Sequence, residues 1–329
     1  MRRILTVAAL LLLAAAAPAQ QRWAVVNTSC AYLYASPDYE SGLETQSLMG
    51  TVVEVLGEER YWRKVSTPDP YVAWTNDLML AYMTEEEKDA YIAAPKWICT
   101  VENTYIYAGP EPGAGRIADF TMGGLVRKAE GMRRGKVEVL LPSGARGWVR
   151  RSEVEDFGLW AKSRTLSGEN LVATAKKFLG VPYLWGGISS KGFDCSGLVK
   201  FCYMMNGVLL MRNASQQVRS GEELPFDLDV LQPGDLLFFG TPATASSPMK
   251  VTHVGMYIGD GRMIHSSMVV RINSLREDDP DYYGRIPIAI RRLLGSVGTP
   301  GSDSTPGSDV TADSSGLTPI TDSPWYFRR

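Results

Sequence analysis

Apolar residues recur along this chain with two different periods. Leu171, Ala175, Phe178 and Leu179 follow the three-to-four spacing of a helix with one buried face, entered from Ser167 and stopped by Gly180. Leu198, Phe201, Cys202 and Met205 repeat that spacing directly after a Gly/aromatic-rich turn, Gly180-Val181-Pro182-Tyr183-Leu184-Trp185-Gly186-Gly187. Upstream of residue 156 the pattern is β-rich instead. Runs such as Thr51-Val52-Val53-Glu54-Val55-Leu56 and Lys136-Val137-Glu138-Val139-Leu140 are broken by Gly and Pro turns. Between such runs, Thr84-Glu85-Glu86-Glu87 reads as a capping box opening a short helix to about Ala93, which Pro95 ends. Its acidic turn is a solvated face favourable to the helix dipole.

The β-rich part is a repeat. Tyr32-Leu33-Tyr34-Ala35-Ser36-Pro37 returns as Tyr105-Ile106-Tyr107-Ala108-Gly109-Pro110, an offset of 73. Gly50, Gly57 and Trp74 return as Gly124, Gly131 and Trp148, an offset of 74. Units of about 60 residues with this texture read as small β-barrels. The expected plan is therefore an N-terminal segment 1–19, a first barrel 20–83, a helical connector 84–95, a second barrel 96–156, an α+β domain 165–293 and a tail 294–329. Gly, Ser, Thr, Asp and Pro dominate 295–324, which predicts disorder there. The closing Trp325-Tyr326-Phe327 has no reading beyond a sticky end.

Composition narrows the class. Apolar residues make up 45% of the chain, ample for cores, and a net charge of −2 without a basic cluster gives no footprint for nucleic acid. Arg2-Arg3, the apolar run 4–16 and Ala17-Pro18-Ala19 form a secretory signal with a small-x-small cleavage site. The run is short for a membrane span and no cysteine follows it, so export to the periplasm or medium without stable membrane insertion is expected. Four cysteines are sparse for an exported protein. Cys202 lies on a core stripe, and whether Cys30 and Cys99 pair is open.

Cys195 lies at the start of its helix, capped by Asp194 or Ser196, where unpaired N–H groups and the dipole favour an anion. That position lowers a thiol pKa and makes a nucleophile, although a buried structural cysteine is the competing reading. The chain has only two histidines, His253 and His265, close together in sequence. A cysteine followed far downstream by histidine is the arrangement of a thiol nucleophile and its base. Here the hairpin around Gly259-Asp260-Gly261 is decisive. A two-residue loop in plain register puts the histidines on opposite faces. A three-residue loop with a bulge at Gly261 pairs 258 with 262 and 255 with 265, and the histidines become diagonal neighbours roughly 7–8 Å apart. If the two act together, the bulge is required. His253 would then take the thiol proton and His265 fix its tautomer. The spacing matches no zinc-ligand pattern, so neither metal nor cofactor is expected.

These blocks, with Leu231-Gln232-Pro233-Gly234-Asp235-Leu236 between them, resemble the NlpC/P60 family of cell-wall cysteine peptidases. The resemblance implies a papain-like catalytic domain with Cys195, His253 and His265 as nucleophile, base and third polar residue. The repeats resemble bacterial SH3-like domains, giving the α+β fold class: a papain-like domain preceded by two small SH3-like β-barrels. The whole plan resembles γ-D-glutamyl-L-diamino acid endopeptidases, which act on murein peptides with a free N-terminal L-Ala. It implies Asp194 as a partner of the substrate ammonium, with Tyr71 and Glu44 enclosing it from the first barrel. Tyr183 and Trp185 would line the groove. Ser196 and Ser215 would bind the γ-D-Glu carboxylate, shape the site or merely cap helices. The competing expectations are a general murein endopeptidase and an inert wall-binding protein. A monomer suffices for any of the three.

Overall fold

The computed structural model describes residues 22–295 and 317–328. The leader at 1–19 and most of the tail fall outside the described residues. Two seven-stranded antiparallel sheets, each curled into a small barrel, come first. In the first the strands lie in the order Leu43–Leu48, Cys30–Tyr34, Val72–Asn76, Trp62–Ser66, Val52–Glu59, Trp23–Val26, Leu80–Met83. The second repeats that order from Arg116–Thr121 through Asn103–Tyr107 and Arg146–Arg150 to Val154–Asp156. Alternating apolar residues fill each barrel: Ala24, Val26, Leu33, Val53 and Val65 in one, Ile106, Phe120, Val126, Val139 and Val149 in the other. Between the barrels runs the helix Glu85–Ala93, with both halves of its capping box formed at Thr84 and Glu87.

The third unit packs the helix Cys195–Met205 against a six-stranded antiparallel sheet. All but one residue of that helix are buried, so it is the core element that the sheet and the preceding helix Gly168–Lys176 enclose. Leu198, Phe201, Cys202 and Met205 face this core together with Leu171, Ala175 and Phe178. Cys30 and Cys99 are both free and sit in different clusters, so they do not pair.

The described end of the tail, 317–328, departs from the expected disorder. Leu317–Pro319 adds a strand antiparallel to Val208–Leu210, and Ile320 N–H donates to the Gly207 carbonyl at 2.8 Å. Trp325 meets Trp23 of the first barrel edge-on at 5.5 Å, and Phe327 stacks on Phe157 at 5.0 Å. Leu317 and Ile320 are almost fully buried. Leu317, Ile320, Trp325, Tyr326 and Phe327 disappear in the average composition of a polar stretch, yet each finds a partner at the seam of the three units. Fully burying side chains such as Leu317 and Ile320 stabilises by about 1.5–3 kcal/mol apiece.

Candidate active site

Asp194 caps the helix Cys195–Met205, its Oδ1 accepting from Gly197 N–H at 2.6 Å. Gly197 is required by close approach, since a Cβ there would lie 2.0 Å from the Gly187 carbonyl oxygen. The turn and the helix start thus touch directly, and Cys195 is fixed at the first helical position. The bulge expected in the hairpin exists, but not where it was expected. Asp260 and Gly261, both at positive φ, form a two-residue turn closed by the Gly259–Arg262 pair. The extra residue is Ile258, one step further back, after which Tyr257 pairs with Met263 and Met256 with Ile264. A two-residue turn suits the strand twist best, so the register is corrected inside the strand instead. The consequence is unchanged: His253 and His265 share a face, with ring centroids 5.0 Å apart. A Cβ on Gly255 would lie 3.4 Å from that of His265.

The hydrogen bonds fix the tautomers. Asn273 Nδ2 donates to the Asp281 carbonyl at 2.7 Å, which turns its Oδ1 towards His265 Nε2, 2.9 Å away. His265 therefore carries its proton on Nε2, and its Nδ1 accepts from His253 Nε2 at 2.7 Å. His253 Nδ1 is left as a free lone pair. Tyr283 packs against both rings and holds them in place. Cys195 accepts from the backbone N–H of Val254, the residue after His253, and from that of Ser196. The sulfur thus abuts the strand that carries His253.

Helix position alone predicts a lowered thiol pKa, and the structure reverses this. Burial, and after it the Asp194 carboxylate, pushes Cys195 up to about 11 against the opposing N–H groups and Arg212. Burial, and after it the neighbouring His265, pushes His253 down to about 3, while burial brings His265 down to about 4. Each charged form alone is disfavoured in this dry pocket. At rest the Cys195 thiol and the His253 imidazole are therefore both held neutral.

A cleft of about 490 Å³ opens at Cys195, lined by Glu44, Tyr183, Trp185, Asp194, Ser196, Arg212, Asn213, Ser215 and Lys250. Glu44 comes from the first barrel. It is the unpaired residue of a bulge, since Leu33 pairs with Thr45 and Tyr34 with Leu43. The Tyr71 hydroxyl donates to its carboxylate. Asp194 does not present a free carboxylate to the cleft. Gly186 N–H donates to Oδ2 at 2.9 Å, Ser196 Oγ lies 3.2 Å from Oδ1, and Arg212 donates to both oxygens. Arg212 is 1% exposed and also reaches Thr45 of the first barrel at 2.8 Å. Ser196 Oγ is engaged by Arg212 as well, at 3.0 Å, whereas Ser215 is exposed in the cleft. Sequence reasoning missed Arg212, Asn213 and Asn273. The one signal for Arg212 was a basic residue within an otherwise apolar run, Val208-Leu209-Leu210-Met211-Arg212.

A family model described as NlpC/P60 matches residues 180–285, and one described as the bacterial dipeptidyl-peptidase Sh3 domain matches 33–77. The chain is 33% identical over 237 residues to the gamma-D-glutamyl-L-lysine dipeptidyl-peptidase of Bacillus cereus, covering 70% of this chain and 68% of that one. To the Bacillus subtilis enzyme of the same name it is 32% identical, covering 77% and 81%. The chain belongs to the NlpC/P60 family. It is a peptidase, and cysteine is the family's nucleophile. The crystal structure of an NlpC/P60 family protein from Bacillus cereus superposes with a TM-score of 0.68 at 27% identity, over 83% of this chain and 99% of that one. The murein DD-endopeptidase MepH of Escherichia coli is 36% identical over 121 residues, only 35% of this NlpC/P60 chain and 42% of that one.

Proposed function

We propose that this chain is an exported peptidase that hydrolyses the γ-D-Glu–diamino acid bond of murein peptides carrying a free N-terminal L-Ala. The observation that carries the reading is Glu44: a carboxylate from the first barrel lines the same cleft as Cys195. An ammonium leaving water needs an opposite charge and hydrogen bonds, and Glu44 with Tyr71 supplies them. Asp194, neutralised by Arg212, serves instead to orient the nucleophile's helix. Tyr183 and Trp185 bound the groove. The leader at 1–19 supports export.

The chemistry follows from the tautomer chain. Cys195 gives its proton to His253 Nδ1 as Sγ attacks the γ-carbonyl carbon of D-Glu. The backbone N–H of Cys195, first of its helix, is placed to meet the oxyanion. The C–N bond breaks, the diamino acid's amine leaves with the proton from His253, and a thioester remains. Water, giving its proton to His253, then releases L-Ala-D-Glu and restores the thiol. His265, held by Asn273, keeps the proton on His253 Nε2, so that Nδ1 stays free to take the thiol proton.

Kinetics on the tripeptide with its amine free and with it acetylated test the reading. The expected result is cleavage of the free form alone, abolished in Cys195→Ala. Equal cleavage of the acetylated peptide would favour an endopeptidase acting on attached stem peptides, the reading suggested by relatives that share only the catalytic domain.

A further inference from the structure

Four charged side chains line the cleft: Glu44, Asp194, Arg212 and Lys250. Asp194 and Arg212 neutralise one another in a buried pair. Glu44 and Lys250 remain, and no bond joins them. The Lys250 ammonium is exposed and has no acidic or carbonyl partner among the described residues. The surface left to a ligand is therefore dipolar, with one anionic and one cationic point. Its complement is a small zwitterion that carries an ammonium and a carboxylate on the same short segment.

The two points share a wall. Lys250 begins the strand Lys250–Gly259, which packs along the helix Ala214–Gln217. Asn213, just before that helix, hydrogen-bonds with Tyr71, the partner of Glu44. Resting on the function proposed above, this wall faces the acyl half of the substrate. That half bears the L-Ala ammonium and, because its scissile bond is a γ-linkage, one unreacted α-carboxylate. We propose that Lys250 pairs with this α-carboxylate, and that the enzyme thereby selects γ-D-Glu over its α-carboxamide form.

The test is kcat/KM for L-Ala-γ-D-Glu-L-Lys and for the same peptide with the α-carboxylate amidated, in wild type and Lys250→Met. The Lys250 side chain is exposed, so the substitution should leave the fold intact. Wild type should favour the acid roughly 10-fold, the worth of one hydrogen bond to a charged group. Added salt should shrink that preference. Lys250→Met should lower kcat/KM on the acid by the same factor and leave the amide within about twofold. No loss, or equal loss on both peptides, overturns the proposal. A third peptide with diaminopimelate as the leaving residue covers the other side of the bond. If Lys250→Met shifts only the diaminopimelate-to-Lys ratio, the cation serves the leaving group and the proposal is wrong. Wild type inactive on every free-amine peptide overturns the functional reading itself, before any Lys250 variant is measured.

Discussion

The two barrels are built alike and placed differently. Their strand order is the same, and even their irregularities correspond. Glu44 is the unpaired residue of a bulge in the first, and Ile117, 73 positions on, occupies the same bulge in the second. Tyr71 precedes a strand whose partner loop it closes through Thr67. Ala145 does the same through Leu141, 74 positions on. So the fold provides the same two outward positions twice. Only the copy whose bulge faces the cleft carries a carboxylate and a hydroxyl there. A bulge re-aims one side chain at little cost to the ladder, and the proposed function would use it once. The second copy braces the assembly through Thr121, Glu102 and Asn103, all of which meet Ser190.

The largest expected effect is at the first barrel's seam. Arg212→Met leaves the Asp194 carboxylate buried without its cation and removes the reach to Thr45. Breaking such a pair costs about 3–5 kcal/mol. Chemical denaturation should show that loss, and activity on the free-amine tripeptide should fall with it. A loss under about 1 kcal/mol, the worth of an exposed pair, would mean that the seam does not depend on this contact.

Acid separates the catalytic domain from both barrels. Both histidines belong to it, and each is held neutral with a pKa below its ordinary value. The unfolded chain therefore binds protons first as pH falls. Stability should be level above about pH 6.5 and decline below it, continuing down to about pH 3–4. His253→Gln should flatten the decline in a denaturation series, and an unchanged slope would place its origin elsewhere.

Glu44→Gln against Ile117→Gln is the direct test of why the barrels differ. The first should lower kcat/KM for the free-amine tripeptide about 30-fold, the factor corresponding to about 2 kcal/mol lost at a desolvated charge. The second should change nothing. An equal effect at both positions would mean that the bulge matters and the carboxylate does not.

Much of this plan could be read in the sequence, and the failures share one cause. Period and turn chemistry are local, so the repeat, the capping box at Thr84 and the helix start at Cys195 were all visible. Even the shared face of the two histidines followed from register. What stayed hidden depends on distant parts of the chain. Arg212 looked like a stray cation because its partners, Asp194 and Thr45, lie 18 and 167 residues away. Asn273 gains meaning only once His265 lies across from Arg271 on the neighbouring strand. The thiol's raised pKa comes from burial by other elements, which the dipole argument left out. The tail's anchors are likewise defined by Trp23 and Phe157, not by their own neighbours.

The smallest effect belongs to the second barrel's seam. Lys191 of the catalytic domain pairs with Asp119, which also accepts from Ser29 of the first barrel at 3.0 Å. Both members of the Lys191–Asp119 pair are about one-third exposed, so solvent screens them and the pair is worth roughly 0.2–1 kcal/mol. Lys191→Met should therefore shift the unfolding midpoint barely, and less so in high salt. If the second barrel only braces the first, the ratio of free-amine to acetylated cleavage should also hold, because Glu44 has not moved. A changed ratio from so weak a contact would show that the second barrel sets the position of the first, and that Glu44 depends on a brace two seams away.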